Sequence, residues 1–269
     1  MSTNLLKYPP LLTDSLIHVI YYLLFQSIIL WLFSIYYKDV SLIDRFWGIS
    51  FFFISSISLL HSERSILNLL VFSLVTIWSF RLSYHISKRN WGKGEDPRYT
   101  AIREGKKKFI VSSYFIVFFL QHSLLLLVSL PLLTFFSNSN IEFSILTFLG
   151  LLSFSIGLFF EIKADSELKT FKQNNQLKGN VLDTGVWSLC RHPNYFGDAV
   201  VWIGFTIMCF SFQYWYLIIS PVVMISLLRF FTGVGPLEEK MLKEKPDYKK
   251  YTESVPCFWP NIFKKYISH

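Results

Sequence analysis

Residues 184–198 read TGVWSLCRHPNYFGD and lie between two long apolar runs. Pro193 suits the first position of an α-helix, because its missing N–H costs nothing there. Arg191 and His192 then stand just before a helix N-terminus. Free N–H groups and the positive end of the helix dipole attract an anion such as a phosphate at that point. The stretch therefore predicts a helix that begins at an anion-binding site.

Polar side chains continue into this predicted helix. Asn194 and Asp198 are four residues apart and fall on one helix face, with Trp202 one turn further on and Tyr195 beside them. A polar loop that merely restarts a membrane helix would contain similar residues. Ionisable groups at the edge of a lipid-embedded bundle are costly and usually functional, which favours a binding site.

The composition is that of a membrane protein. Of the 269 residues, 52% are hydrophobic and only 16% are charged, too few to cover a soluble domain. Twenty-eight Phe and many Leu and Ile form runs long enough to cross a bilayer. The backbone must satisfy its own hydrogen bonds in lipid, and runs this long favour helices over barrel strands. The sequence predicts an all-α polytopic membrane protein.

Seven apolar runs predict the spans: residues 15–37, 46–60, 66–84, 109–136, 141–160, 198–212 and 214–231. No internal repeat or low-complexity linker separates them, so a single membrane domain over residues 1–269 is expected. Its reductase-like core would be residues 38–231 with the hydrophilic tail 232–269. A division into two bundles is the alternative.

The basic residues predict the orientation. Lys and Arg concentrate in the loops 38–45, 86–108 and 173–193 and in the tail, whereas the alternate loops carry only Arg64. This pattern predicts an outside N-terminus and a cytosolic C-terminus, in a bacterial inner membrane or an endoplasmic reticulum. It explains the net charge of +8 more simply than nucleic-acid binding, for which no motif is visible.

Several kinds of site are not indicated. Three widely spaced cysteines give neither a disulfide framework nor a CxxC metal site. The six histidines show no metal-binding spacing, so no metal is predicted. No Gly-rich phosphate loop follows a strand and no GxSxG occurs, which excludes a Rossmann domain and a nucleophile elbow.

A second candidate surface lies on the helix that leaves the membrane after residue 160. Glu161, Asp165, Lys169 and Lys172 recur at spacings of four, four and three, so they share one helix face. Ion pairing on a solvated face is one interpretation. The other is that Asp165 binds a ribose or amide group and Lys172 a phosphate. Arg229, deep in the last apolar run, should face the bundle interior and meet an anion.

The third span ends in a stripe of aromatic and basic side chains: Trp78, Arg81, His85 and Arg89. Tyr84 lies beside the stripe, which is either an interfacial anchor or part of a site. Asp44 is either the N-cap of a helix before Phe46 or the partner of an arginine. Glu95, Asp96 and Arg98 belong either to a solvated loop or to a lid.

These motifs together resemble a large, mostly uncharacterised family of membrane proteins grouped with the steroid 5-alpha-reductase C-terminal domain. The resemblance covers residues 184–202 and, in order along the chain, 44–48, 95–99, 160–172 and 235–238. It implies a seven-helix bundle with NADPH in a cytosol-facing cavity. By motif position, the implied cofactor contacts are Asp165, Lys172, Asn194, Asp198, Trp202 and Arg229. Glu161, Arg191, His192 and Tyr195 complete the predicted cofactor set.

The Arg-His-Pro-x-Tyr-x-Gly element also resembles membrane methyltransferases that act on isoprenylcysteine or phospholipid. Their tails carry a Glu-Glu pair, to which Glu238 and Glu239 are similar. NADPH carries phosphates and favours Lys and Arg, whereas S-adenosylmethionine is a sulfonium cation and favours carboxylates and aromatic faces. Lys172, Arg191 and Arg229 therefore favour NADPH, and the glutamate pair favours S-adenosylmethionine.

The predicted function is NADPH-dependent reduction of a conjugated carbon–carbon double bond in a lipophilic, steroid- or isoprenoid-like substrate. Tyr84 or His85, tuned by Asp44, would polarise or protonate the acceptor. Two alternatives remain open: an S-adenosylmethionine-dependent methyltransferase of a membrane lipid, and a non-catalytic lipid-binding membrane protein.

Overall fold

The computed structural model describes residues 14–63, 65–104, 106, 108–138, 142–174, 180–210, 212–231 and 233–261. Within these ranges the regular structure is entirely helical, which confirms the predicted all-α class.

The helices of the N-terminal half are α1 Asp14–Tyr37, α2 Leu42–Leu60, α3 Ile66–Asn90, α4 Pro97–Arg103, α5 Phe109–Ser113, α6 Leu120–Val128 and α7 Leu130–Ser137. Those of the C-terminal half are α8 Ile145–Gln173, α9 Pro193–Cys209, α10 Ile219–Ser226, α11 Val234–Glu244 and α12 Tyr248–Ser254. π-helical turns occupy Tyr114–Phe119 and Leu227–Phe231, and 3₁₀ turns occupy Gly185–Ser188 and Phe212–Ile218.

Six helical segments of the described chain are long and apolar enough to cross a membrane: Asp14–Tyr37, Leu42–Leu60, Ile66–Asn90, Phe109–Val128, Ile145–Gln173 and Tyr214–Phe231. The remaining predicted span corresponds to α9. Its 17 residues extend about 26 Å, short of the about 30 Å of bilayer hydrocarbon. The protein is an integral membrane protein whose α9 is mostly buried among its own residues.

At two helix ends that carry candidate site residues, the structure differs from the prediction. The third span continues past residue 84 as far as Asn90, so its basic end is helical. Asp44 is not an N-cap, because α2 begins at Leu42 and Ser41 occupies the cap position. Asp44 lies in the first turn of α2, where its carboxylate suits the positive end of the helix dipole.

The chain forms two compact units. The first consists of Met1–Phe143 with Ser211–Leu217, and the second of Ser144–Phe210 with Ile218–His269. The single membrane domain and the two-bundle alternative both stay predictions. Each unit is described separately below.

In the first unit, α2 and α3 pack closely because Gly48 has no side chain. A Cβ at Gly48 would lie 2.8 Å from both the Ser79 carbonyl oxygen and Ser83 Oγ. Phe51 and Trp78 are fully buried in this contact, with ring centroids 5.6 Å apart. Small residues of this kind let membrane helices approach each other closely.

In the second unit, α8 and α9 pack through two glycine pairs. A Cβ at Gly150 would lie 2.7 Å from the Gly204 carbonyl oxygen, and one at Gly157 would lie 2.5 Å from that of Gly197. The lower-numbered glycine of α8 meets the higher-numbered glycine of α9, so the helices are antiparallel. The glycines are seven residues apart on each helix, two helical turns, and they fix the register of the pair.

Candidate functional site

The register of α8 and α9 brings predicted cofactor residues of both helices together. Gly197 packs against Glu161, whose Cγ would lie 2.8 Å from a Cβ at that glycine. One turn further along, Asn194 Nδ2 donates to Asp165 Oδ1 over 3.5 Å. The same glycines that join the helices therefore place an amide beside a carboxylate.

The other predicted residues of this helix pair differ in exposure. Glu161, Asp198 and Trp202 are buried, with 2%, 8% and 0% of their surface exposed. Lys172 is exposed near the C-terminal end of α8. The polar groups of the pair therefore run from buried acidic side chains to an exposed cation.

Arg191 stands where the sequence predicts, directly before a helix that begins at Pro193. Its guanidinium is bonded to the tail. Nε and Nη2 donate to the two carboxylate oxygens of Glu238 over 2.6 and 3.1 Å. Nη1 donates to the carbonyl oxygens of Thr252 and Val255 over 2.9 and 2.7 Å. These bonds use four of the five N–H donors of the guanidinium, which leaves one for any phosphate.

His192 belongs to the same cluster. Its Nε2 lies 3.0 Å from Glu238 Oε1, and its ring stacks on Tyr195 with centroids 5.6 Å apart. His192 is 2% exposed, so the imidazole is held between the tail and the first turn of α9. The Arg-His pair thus meets a carboxylate of this chain at the helix N-terminus.

The charge on Glu238 follows from this arrangement. Burial acts to raise the pKa of its carboxyl, but the hydrogen bonds from His192 and Arg191 outweigh it and lower the pKa from 4.5 to about 2. The pKa of the Arg191 guanidinium is raised above its ordinary value by the same partner, against the effect of burial. Glu238 and Arg191 therefore form a charged pair at neutral pH.

Glu238, His192 and Cys257 also form a set of possible metal ligands in the described part of the chain. One ligand atom from each lies within 4.8 Å of the others. However, both Glu238 oxygens already accept hydrogen bonds from Arg191, so a divalent cation would face the guanidinium at short range. The set is better explained by the ion pair than by a metal.

The loop before Arg191 is hydrogen-bonded both to α8 and to the tail. Gly185 has a φ of 60°, and the backbone N–H of Val186 donates to Glu167 Oε2 of α8 over 3.0 Å. Trp187 Nε1 donates to the Ala164 carbonyl oxygen, and the Trp187 carbonyl oxygen accepts from Tyr251 of α12. The stretch 184–198 is therefore held by α8 and by the tail.

Asp44 has an arginine partner, as one of the two sequence interpretations predicts. Arg98 Nη2 donates to Asp44 Oδ2 over 2.8 Å, and the Tyr99 hydroxyl donates to Oδ1 over 2.5 Å. Gln121 Nε2 in turn donates to the Tyr99 oxygen over 2.8 Å. Asp96 caps α4 and accepts from Arg98 Nε over 3.0 Å. Arg98 is thus shared between two carboxylates.

A second ion pair holds the same segment. Arg103 Nη2 donates to Glu95 Oε1 over 2.7 Å, and that oxygen also accepts the N–H of Val40 over 2.9 Å. Burial would raise the pKa of Asp96, but hydrogen bonds from Arg98 hold it below its ordinary value. Residues 95–103 are therefore anchored to the start of α2 and are not a freely solvated loop.

The two predicted proton donors, Tyr84 and His85, both lie on α3. Tyr84 is 65% exposed on α3, and its oxygen accepts from Lys88 Nζ over 3.2 Å. His85 is half-buried on the same helix. Together with Asp44 they belong to the first unit, whereas the predicted cofactor residues belong to the second.

Arg229 lies in the π-helical turn at the end of the last span. It is half-buried, its guanidinium carbon is 5.5 Å from the centre of the Phe230 ring, and its charge acts on the thiol of Cys257. Arg229 therefore adds a cation to the neighbourhood of Cys257 in the second unit.

Three features of these sites do not follow from the motifs. Glu238 is the partner of Arg191 although 47 residues separate them. Tyr99 and Gln121 complete the Asp44 cluster. The glycine pairs set the α8–α9 register, and their equal spacing of seven on two neighbouring spans is a signal that the sequence contains.

The fold and these clusters define a polytopic α-helical membrane protein with polar segments bonded to the ends of its helices. Residues 30–255 match the family described as "Protein of unknown function (DUF1295)". The chain belongs to that family.

Two curated relatives are similar in sequence. An uncharacterised protein of Schizosaccharomyces pombe is 26% identical over 269 residues, which cover 87% of this chain and 76% of that protein. The steroid 5-alpha-reductase DET2 of Arabidopsis thaliana is 36% identical over 64 residues, which cover 23% of this chain and 24% of that protein. No solved structure matches the chain. These matches confirm the predicted relationship to an uncharacterised family related to steroid 5-alpha-reductase.

Proposed function

We propose that this protein is a membrane-embedded, NADPH-dependent reductase of a carbon–carbon double bond in a lipophilic, steroid- or isoprenoid-like substrate. The observation that carries the proposal is the α8–α9 register, which joins Asn194 to Asp165 beside the buried Glu161. The partial similarity to a protein named as a steroid 5-alpha-reductase supports a reductase over other membrane enzymes.

The polar groups along α8 and α9 fit a dinucleotide. Asp165 accepts hydrogen bonds and the Asn194 amide both donates and accepts, which suits ribose hydroxyls and a carboxamide. Lys172 is two turns beyond Asp165 on the same face, about 10 Å along the axis, and supplies a cation for a phosphate. Asp198 and Trp202 follow at one-turn intervals along α9 and are buried.

The motif cations take different roles in this proposal. Arg191 and His192 hold Glu238 and so position the tail against the start of α9. Lys172 and Arg229 are then the cations assigned to the cofactor phosphates. Tyr195, stacked on His192, supports the first turn of α9.

When bound, NADPH supplies the hydride for one carbon of the double bond. The chain must supply a proton for the other carbon. Tyr84 and His85 are the donors that the sequence predicts, and Tyr99 is a further phenol that the structure brings to Asp44. Burial and the Asp44 charge raise the pKa of Tyr99, so this phenol keeps its proton at neutral pH.

Titration of NADPH fluorescence with the purified protein in lipid nanodiscs tests the cofactor assignment. Lys172→Ala should raise the Kd about tenfold, because a charge-assisted phosphate contact of about 1.4 kcal/mol is lost. Asn194→Ala should raise it by a similar factor.

The matched control is Lys163→Ala. Lys163 is an exposed lysine of the same helix and pairs with Glu167 over 3.5 Å, on a different face from Asp165. NADPH affinity that falls equally in both lysine variants would show a general charge effect and would remove the assigned site. Binding of neither NADPH nor S-adenosylmethionine would favour a non-catalytic lipid-binding protein.

A methyltransferase that uses S-adenosylmethionine is the second candidate, favoured by one observation. The structure joins His192 and Glu238, the two halves of the motif that resembles membrane methyltransferases, over 3.0 Å. Against it, Glu238 is neutralised by Arg191, and Glu239 is exposed and paired with Lys243. Saturable S-adenosylmethionine binding without NADPH binding would establish this alternative.

The proton donor is tested by Tyr84→Phe and Tyr99→Phe in single-turnover reduction of an enone lipid. The variant that lacks the donor should lose its hydride-transfer rate by about 10²-fold or more while NADPH affinity is unchanged. Equal, full rates in both variants would leave His85 as the candidate.

A further inference from the structure

A groove of about 390 Å³ opens between α2 and α3 in the first unit, separate from the residues assigned to the cofactor. It is lined by Leu42, Arg45, Phe46, Ile49, Ser83, Ser87 and Trp91. Its volume lies within the range of small-molecule sites. Three of its lining residues are polar, and none of them is acidic.

Arg45 is the cation of this groove, and its bonding is incomplete. Its side chain is 19% exposed, and its ion pair with a described residue, from Nη2 to Asp39 Oδ2, is 3.4 Å long. The other Asp39 oxygen already accepts from the N–H and the hydroxyl of Ser41. Arg45 Nε is buried without a hydrogen-bond partner in the part of the chain that the structure describes. A buried donor of this kind is costly, so the guanidinium is incompletely satisfied by the described residues.

Two hydroxyl groups lie along the same groove. Ser83 Oγ accepts the N–H of Ile49 over 2.8 Å, which leaves its own proton to donate. The Ser87 hydroxyl makes no hydrogen bond to any described residue. The groove therefore offers a guanidinium and two hydroxyl donors, a set that suits an anion with several oxygens.

The remaining walls are apolar and open to the outside of the helix pair. Phe46 is 41% and Trp91 79% exposed. Phe53 of α2 and Phe80 of α3 are also exposed further along these two membrane-crossing helices. A tryptophan beside basic groups at a helix end is typical of the level of lipid headgroups. The groove thus combines an anion site with an apolar surface facing lipid.

We propose that this groove binds the phosphate headgroup of an anionic membrane phospholipid. Arg45 pairs with the phosphate, Ser83 and Ser87 donate to its oxygens, and the acyl chains follow Phe46 and Ile49 into the bilayer. The predicted cytosolic position of this helix end agrees, since the cytoplasmic leaflet carries the anionic lipids. The site uses none of the residues assigned to the cofactor or to proton donation.

Native mass spectrometry of the full-length protein in detergent tests the site. Phosphatidylglycerol and phosphatidylcholine with identical acyl chains are titrated against the wild type, Arg45→Gln and Arg89→Gln. Arg89 is an exposed arginine at the same end of α3 and does not line the groove. The wild type should retain phosphatidylglycerol at least fivefold more strongly than phosphatidylcholine. Arg45→Gln should abolish that preference, and Arg89→Gln should keep it.

Two further measurements make the result decisive. Ser87→Leu fills the groove without touching the Arg45–Asp39 pair, so it should reduce phosphatidylglycerol retention even if Arg45→Gln does not fold. Millimolar inorganic phosphate should not displace the lipid. Equal retention of both lipids, equal loss in both arginine variants, full retention by Ser87→Leu, or displacement by inorganic phosphate would each overturn the proposal.

Discussion

Both units use an arginine–carboxylate cluster to fasten a polar segment to a helix end, but they share the charges in opposite ways. In the second unit one carboxylate, Glu238, serves two donors, Arg191 and His192. In the first unit one guanidinium, that of Arg98, serves two carboxylates, Asp44 and Asp96. Removing the shared group should destabilise each cluster most, because its buried partners then lose their ion-pair or hydrogen-bond partner.

The clusters also differ in burial. The side chain of Arg191 is 10% exposed and that of Arg98 is 33% exposed. Water can reach Arg98 when a partner is lost, but it reaches Arg191 poorly. Equivalent changes should therefore cost more in the second unit than in the first.

Glu238→Ala should have the largest effect. It leaves Arg191 buried without a carboxylate and should lower stability by about 3 kcal/mol. The midpoint of thermal unfolding in detergent measures this. The neighbouring Glu239 is exposed and pairs only with Lys243, so Glu239→Ala should leave the midpoint unchanged. Equal midpoints for the two variants would contradict a stabilising role of the Arg191–Glu238 ion pair.

Arg98→Gln should have the second-largest effect on stability. It removes the guanidinium that two carboxylates share and should cost about 2 kcal/mol, less than Glu238→Ala because the site is partly hydrated. Thermal unfolding and proteolysis between residues 95 and 103 measure the loss of anchoring. Unchanged proteolysis there would show that the segment is held by other contacts.

Single carboxylate changes in the first unit should be milder. Asp44→Asn leaves Arg98 bonded to Asp96, and Asp96→Asn leaves it bonded to Asp44, so each should cost about 1 kcal/mol. Unfolding midpoints of the two variants and of Arg98→Gln provide the comparison. A loss in either single variant as large as that of Arg98→Gln would mean that the guanidinium is not shared as described.

Acid should weaken the second cluster over a defined window. The pKa of Glu238 is lowered from 4.5 to about 2, so its stabilising contribution is fully present above pH 4.5 and is lost as the pH falls towards 2. The loss therefore falls below pH 4.5. In thermal melts at neutral pH and at stepwise lower values below pH 4.5, Glu238→Gln should show a flatter pH dependence than the wild type, and parallel curves would refute the linkage.

The sequence predicts local features of this molecule well. Pro193 gives the start of α9, because proline is tolerated at the first helical position and the preceding residues end the loop. The apolar runs give the membrane helices, since length and hydrophobicity are properties of contiguous residues. The shared helix face of Asp165 and Lys172 follows from spacing alone.

Partners that come from distant segments are not encoded in local spacing. Nothing near Arg191 indicates that Glu238 will occupy its guanidinium, so the motif suggests a free anion site. Asp44 has two local interpretations, and only the placement of Arg98 and Tyr99 decides between them. α9 is too short for an ordinary span, and its burial depends on the glycines that α8 presents to it.

The length of α8 has a consequence for how any ligand reaches it. Its 29 residues extend about 44 Å, roughly 14 Å more than the hydrocarbon thickness of a bilayer. The surplus is about nine residues, enough to lift Asp165 and Lys172 into water if the Ser144 end lies at the opposite surface. A molecule bound there would exchange with the aqueous phase, so its occupancy would depend on its dissolved concentration and not on its partition coefficient into lipid.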